Sequence, residues 1–176
     1  MNMMVRQEIP SDYPSTERVI QKAFANVKIS DKTEHEMVQR LRKSEAFVPE
    51  LSLVADDEEI VGHILLTKLK IKKEDDSTES LALAPVSVLP EYQNKGVGKR
   101  LMNEALKVAK ESSFQSVIVL GHPTYYSKFG FKPASLWGIK APFEVPDEVF
   151  MALELKENAL DGVSGVVEYP RAFFEG

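Results

Sequence analysis

The chain has 176 residues, 43% of them apolar and 28% charged, which is the size and composition of one folded domain around a single core. It has no cysteine, so disulfides, thiolate-bound zinc, iron–sulfur clusters and a thiol nucleophile are all excluded. A net charge of −5 speaks against a general affinity for nucleic acid or anionic membrane, and neither is expected as a partner.

The longest apolar runs, such as residues 64–66 and 117–120, fall far short of the roughly 20 residues that a membrane-spanning helix needs. The amino terminus carries neither a basic nor an apolar leader, and a cytoplasmic location is expected. His35, His63 and His122 have no metal-ligand spacing, so no metal is expected.

Residues 5–9 alternate like a short strand, and Pro10-Ser11-Asp12 supplies a stop and a helix cap before apolar positions at Tyr13, Ile20, Ala23 and Phe24. Asp31 with Glu34 three residues on announces a second, short and mostly solvated helix through Met37, Val38 and Leu41. Residues 51–55 and 60–71 read as strands of a hairpin with a turn at 56–58. The charged stretch 72–80 reads as a solvated loop, and residues 81–89 as a strand that ends at Pro90. A helix follows, with Leu101, Met102, Ala105, Leu106, Val108 and Ala109 on its apolar face. The all-apolar run 117–120 suits a central strand, so loop and helix form a βαβ crossover. Pro123 opens a short helix over 125–129 that Gly130 closes, and strands are expected at 150–155 and 165–169.

The loop before the long helix carries the chemistry. Gln93-x-x-Gly96-x-Gly98 follows a strand and opens a helix, so backbone N–H groups and the helix dipole converge on one anion site. From Gln93 to Lys110 five basic residues, Lys95, Lys99, Arg100, Lys107 and Lys110, stand against Glu104 alone. A dinucleotide fingerprint would need a third glycine, and a P-loop would need Gly-Lys-Ser/Thr; neither is present.

The segments that remain resemble the GNAT N-acetyltransferases. Residues 86–93, Val-Ser-Val-Leu-Pro-Glu-Tyr-Gln, match that family's strand and loop entry, and residues 125–131, Tyr-Tyr-Ser-Lys-Phe-Gly-Phe, match its Tyr-x-x-x-Gly-Phe signature. With Leu-Gly-His-Pro at 120–123, the chain looks similar to the YhbS-like branch. The resemblance implies an α+β GNAT acyl-CoA N-acyltransferase fold: a central mixed, mostly antiparallel sheet, splayed between strands 4 and 5 and flanked by about four helices. Residues 1–176 would form one such domain, with the tightest match at 81–131.

The same resemblance implies acetyl-CoA as cosubstrate. Val86, Ser87 and Val88 would pair with the pantetheine arm, and Gln93, Asn94, Lys95, Gly96, Val97, Gly98 and Lys99 would hold the pyrophosphate. Tyr126 takes the family position of the acid that protonates the departing thiolate, as a phenol of ordinary pKa near 10. Tyr125 packs or walls the substrate. Departures from the family pattern are Leu83-Ala84-Pro85, where many relatives carry a glutamate base, and Val119, where many carry an asparagine. His122 is then the candidate general base or a helix cap, and His63 a sheet histidine or a second candidate.

The acceptor is expected to be a primary amine, on a small molecule or on a peptide or protein, and the enzyme a monomer or homodimer. Trp137, Phe143 and Phe150 line the acceptor side or belong to the core. Two alternatives stand beside transfer: a non-catalytic acyl-CoA sensor on the same fold, and a nucleotide-binding protein that uses the glycine loop.

Overall fold

A computed structural model describes residues 2–28 and 30–174. In chain order they form β1 (Met4–Gln7), α1 (Tyr13–Phe24), α2 (Glu34–Arg42), β2 (Phe47–Asp56), β3 (Ile60–Lys73), β4 (Asp76–Val88), α3 (Val97–Glu111), β5 (Ser116–Leu120), α4 (Pro123–Tyr126), β6 (Lys132–Pro133), β7 (Ile139–Lys140), β8 (Phe150–Glu154) and β9 (Gly165–Glu168). The sheet is mixed and mostly antiparallel, with β4 and β5 its parallel central pair, as the resemblance implied. The chain divides into two compact units: Met1–Leu66 with Ala84–Val108 and Arg171–Gly176, and Thr67–Leu83 with Ala109–Pro170.

In the first unit β1 pairs antiparallel with β2, from Met4↔Asp56 to Gln7↔Leu53. Asp12 does not cap α1 with its side chain. Its carboxylate accepts two hydrogen bonds from Arg6, at 2.8 and 3.0 Å, and one from the Ile9 N–H, which pins the chain as it leaves β1. The second helix begins later than Asp31 suggests, because Asp31 Oδ1 is occupied by the N–H and hydroxyl of Thr33. Nor is it mostly solvated: Val38 and Leu41 are fully buried with Ile20 and Leu65, and Phe24, Met37 and Phe47 pack around them. Each such aliphatic side chain contributes about 1.5–3 kcal/mol of burial. On the opposite face of β3, a Cβ added at Gly62 would stand 3.0 Å from both Leu101 and Val97, so glycine lets α3 lie close on the sheet.

In the second unit β5 is flanked on both sides. Leu81↔Val117 and Ala82↔Ile118 are parallel pairs with β4, and five antiparallel pairs run to β8, from Ser116↔Glu154 to Leu120↔Phe150. No register pair with β4 follows Ile118 among the described residues. The expectation of a loop over residues 72–80 is corrected, since β3 runs to Lys73 and β4 starts at Asp76, leaving Glu74 and Asp75 as a tight turn with Glu74 at φ 55°. The charges are compatible with strand because most of them face outward, and β9 pairs with this part of β3, where Lys72 meets Glu168 at 3.1 Å.

Candidate active site

The glycine loop lies in the first unit. After the cis Ala84–Pro85 bond, β4 alternates: Ala84, Val86 and Val88 are half-buried while Pro85, Ser87 and Leu89 are buried. The chain then turns at Pro90–Tyr92, and the Gln93 side-chain amide donates back to the Val88 carbonyl at 3.2 Å. Asn94 (φ 63°) and Gly96 (φ 84°) both take the left-handed conformation that glycine adopts freely. Gly96 is the hinge into α3, its carbonyl accepting the Arg100 N–H at 3.1 Å. The first-turn N–H groups of Val97, Gly98 and Lys99 therefore have no carbonyl partner within the helix, and they sit at its positive end.

A Cβ on Gly96 would meet nothing within 4 Å, so the space beside that backbone is open. Lys95 and Lys99 are exposed, with Lys95 Nζ 5.6 Å from the Tyr92 ring, whereas Arg100 is tied to the Met3 carbonyl at 3.0 Å. Loop and helix start thus bring the residues from Gln93 to Lys99 together at the N-terminal end of α3.

The tyrosine lies in the second unit. Gly121 donates to the Val149 carbonyl at 2.9 Å, and the His122 carbonyl accepts the N–H groups of both Tyr125 and Tyr126 at 3.1 Å, which starts α4. The Tyr126 ring rests on Gly121 and stands edge-on to Tyr125 (5.1 Å, 87°) and Phe131 (5.7 Å, 72°). Burial, helped by Tyr125, pushes its phenol up to about 12 rather than leaving it near 10. The hydroxyl is thus protonated at neutral pH, and it makes no hydrogen bond to another described residue. Tyr125 packs as expected, against Tyr126 and Phe129. Gly130, at φ 97°, closes the turn.

His122 is exposed, and its Nδ1 lies 2.7 Å from Thr124 Oγ1; the helix is capped by its backbone and not by its ring. His63 is far from a surface histidine. It is fully buried in the first unit, with Nε2 3.1 Å from Ser52 Oγ and 3.9 Å from Glu8 Oε1, and burial drives its pKa down to about 4. A cavity of about 490 Å³ in the second unit is lined by Phe143, Glu144, Asp147 and Phe150 among others. Of the three aromatics singled out in the sequence, Phe150 is core, Trp137 is half-buried and Phe143 is 40% exposed, stacked on Tyr169.

Gly121 was not among the sequence candidates, although a glycine between a strand end and a histidine is the available signal for close approach of a side chain. Among the described residues no group of three or more His, Asp or Glu could hold a metal ion, and no helix is long and apolar enough to cross a membrane.

The strand, glycine loop and helix, followed by the tyrosine turn, agree with comparison to known proteins. The model of the acetyltransferase (GNAT) family matches residues 11–131. The chain belongs to this family. It is 31% identical to the Escherichia coli K12 protein called uncharacterized N-acetyltransferase YhbS, over 97% of this chain and 98% of that one. The crystal structure of a GNAT family N-acetyltransferase (YhbS) from Escherichia coli in complex with CoA superposes with a TM-score of 0.87 at 27% identity, over 98% of this chain and 92% of that chain. A GNAT family acetyltransferase from Brucella melitensis, in complex with acetyl-CoA, superposes with a TM-score of 0.80 at 32% identity over 98% of both chains.

Proposed function

We propose that this GNAT protein transfers the acetyl group of acetyl-CoA directly to a primary amine. The observation that carries the reading is the open space at Gly96, where left-handed backbone leads into α3, whose first-turn N–H groups have no carbonyl partner within the helix. The two complexes with CoA and acetyl-CoA in relatives of the same fold support it. An anionic diphosphate matches that cradle in charge and in hydrogen-bond sense, and Lys95 and Lys99 add positive charge at its rim. The main chain of Val86, Ser87 and Val88 then takes the pantetheine amides as a further strand would.

Tyr126 acts as the acid. Its hydroxyl is protonated and unengaged, so it can hand a hydrogen to the CoA sulfur as the C–S bond breaks. Transfer is direct, with no acyl-enzyme, in a chain that has no cysteine. The amine is taken to be cationic, because Glu144 and Asp147 share the cavity with Phe143 and Phe150, a lining suited to an ammonium with an apolar body. Two histidines compete for the ammonium proton, and on His122 only Nε2 is free of the contact with Thr124.

The test is release of free CoA from acetyl-CoA across amine classes, from small alkylamines and polyamines to peptide amines, with mass detection of the acetylated product. Tight acetyl-CoA binding without release for any amine would point to the sensor reading. Equal stabilisation by ATP, NAD and CoA would remove the CoA assignment.

A further inference from the structure

In the first unit an acidic turn lies beside the glycine loop. The turn is Asp57-Glu58-Glu59, between β2 and β3: the Asp57 N–H donates to the Glu59 carbonyl at 2.9 Å, and Glu58 stands between them at φ 67°. The Leu89 N–H donates to the Val61 carbonyl at 2.9 Å, so the chain leaves β4 opposite the first residues of β3. Pro90–Tyr92 therefore runs past the acidic turn, with the Tyr92 N–H closing on the Leu89 carbonyl at 2.8 Å. The surroundings of the half-buried Tyr92 agree. Its phenol is raised above its ordinary pKa by desolvation first, then by the charges of Asp57 and Glu59, by a hydrogen bond that its hydroxyl donates to Asp57, and by Glu91.

The same ring carries Lys95, whose Nζ is 5.6 Å from the ring centroid, inside the roughly 6 Å over which an aromatic face attracts a cation. Asn94 at φ 63° and Gly96 at φ 84° bracket that lysine, and the two left-handed residues fold it back toward Tyr92. Glu91 stands four residues before it, and Asp57 and Glu59 lie beside the phenol. Even so, among the described residues Lys95 forms no ion pair. An aromatic face holds an ammonium without neutralising it, which a carboxylate would do. Lys95 directly precedes Gly96 and the first-turn N–H groups of α3, so its charge stays available at that end of the helix. Arg100, by contrast, is tied to the Met3 carbonyl.

We propose that Tyr92 is a positioning residue for the cosubstrate: its hydroxyl, tied to Asp57, fixes the ring, and the ring holds the Lys95 ammonium ready for the diphosphate of CoA. The proposal rests on the acetyl-CoA reading above and adds to it a residue that acts through Lys95. A free lysine on an exposed loop samples many rotamers, and binding an anion in one of them discards the rest. Resting the ammonium on a fixed ring removes part of that cost before the ligand arrives. The acidic turn makes the ring necessary as well as helpful. Without it Asp57, Glu59 and Glu91, whose charges reach the Tyr92 hydroxyl, are the carboxylates open to Lys95, and a lysine paired with one of them offers little charge to an incoming anion.

The experiment is calorimetry of the full chain with CoA at about 50 and about 300 mM NaCl, on wild type, Tyr92→Leu, Lys95→Gln, the double variant and Tyr92→Phe. Lys95→Gln is expected to weaken CoA binding about 10-fold at low salt, as loss of a charge-assisted contact does. Tyr92→Leu should weaken it about 5-fold, and Tyr92→Phe, which keeps the ring, by no more than about 2-fold. The double variant should lose no more than about 10-fold, because both substitutions act on one contact. Tyr92→Leu should also flatten the salt dependence of affinity as Lys95→Gln does, which a merely structural role would leave at the wild-type slope. Tyr92→Met carries the test if Tyr92→Leu does not fold. Losses that multiply to about 50-fold in the double variant would make the two residues independent and overturn the proposal. So would wild-type affinity in Tyr92→Leu, a weakened affinity that keeps the wild-type salt slope, or a loss in Tyr92→Phe as large as in Tyr92→Leu. A wild type that neither binds CoA nor is stabilised by it overturns the acetyl-CoA reading itself, and the positioning role with it.

Discussion

The Tyr126 ring fills the space in which a side chain on residue 121 would stand: a Cβ there would lie 2.3 Å from Tyr126 Cε2. Glycine just after β5 is therefore what lets the phenol ring approach the backbone this closely. Gly121→Ala should push the ring away, because Tyr125 and Phe131 leave it no room to absorb the shift within its own packing. We expect a folded variant with acetyl-CoA affinity within about 3-fold of wild type and turnover lowered about 10-fold or more, since misplacing a catalytic group by an ångström costs up to about 100-fold. Calorimetry and steady-state kinetics on the same preparation check both halves.

Tyr126→Phe deletes the hydroxyl and keeps the ring that packs. If the phenol is the acid, kcat should fall by about 100- to 10,000-fold with acetyl-CoA binding intact. Tyr125→Phe should stay near wild type, because its ring contacts survive. The pKa pushed up to about 12 has a further consequence. Up to about pH 10 the acid is protonated, so the rate should show no alkaline fall from Tyr126 in that range. Wild-type turnover by Tyr126→Phe would leave sulfur to take its proton from water.

Gly96→Val tests the cradle. The backbone there has φ 84°, which a β-branched residue adopts only under strain of roughly 1–3 kcal/mol, and the added side chain would project into open space rather than into protein. The expected result is a modest loss of melting temperature and a loss of CoA affinity of 10-fold or more. Unchanged affinity in a folded variant would move the pyrophosphate elsewhere.

The parts readable in the sequence are those whose chemistry is local. Gln93 to Lys99 lie on one loop and one helix turn, so their spacing already gathers them, and Pro123 to Gly130 close a turn within eight residues. Residues 72–80 look like a loop in the sequence because lysines, aspartates and glutamates on the solvent side of a paired hairpin have a loop's composition. Two-residue strands such as β6 and β7 are shorter than any period that could announce them. Glu8 just after β1, Ser52 of β2 and His63 of β3 meet side by side in the core, so no spacing along the chain reports their contact. The one hint is Gly62 in an apolar strand, which tells that a helix approaches one face and leaves His63 for the other.

Burial of His63 also sets a pH dependence of stability that is separate from catalysis. Its pKa is about 4 in the folded chain against 6.5 for the free side chain, mainly because burial penalises the imidazolium, with Glu8 opposing and Arg42 reinforcing. Between those values the unfolded chain binds more protons than the folded one, so stability rises with pH. The full contribution is present above about pH 6.5 and is lost as pH falls toward 4. A shift of this size corresponds to about 3 kcal/mol over the whole window, or a decrease of about 6 to 12 °C in melting temperature for a chain of this length. The Asp12 carboxylate is held below its ordinary value of 3.8, mainly by the hydrogen bonds from Arg6, so its own loss on acidification begins lower and does not overlap. Wild type should therefore lose melting temperature between pH 6.5 and 4.5 more steeply than His63→Gln, even where the variant starts less stable at pH 7. Parallel slopes in scanning calorimetry would mean that the ring accepts its proton without leaving the core, with Glu8 close enough to hold it.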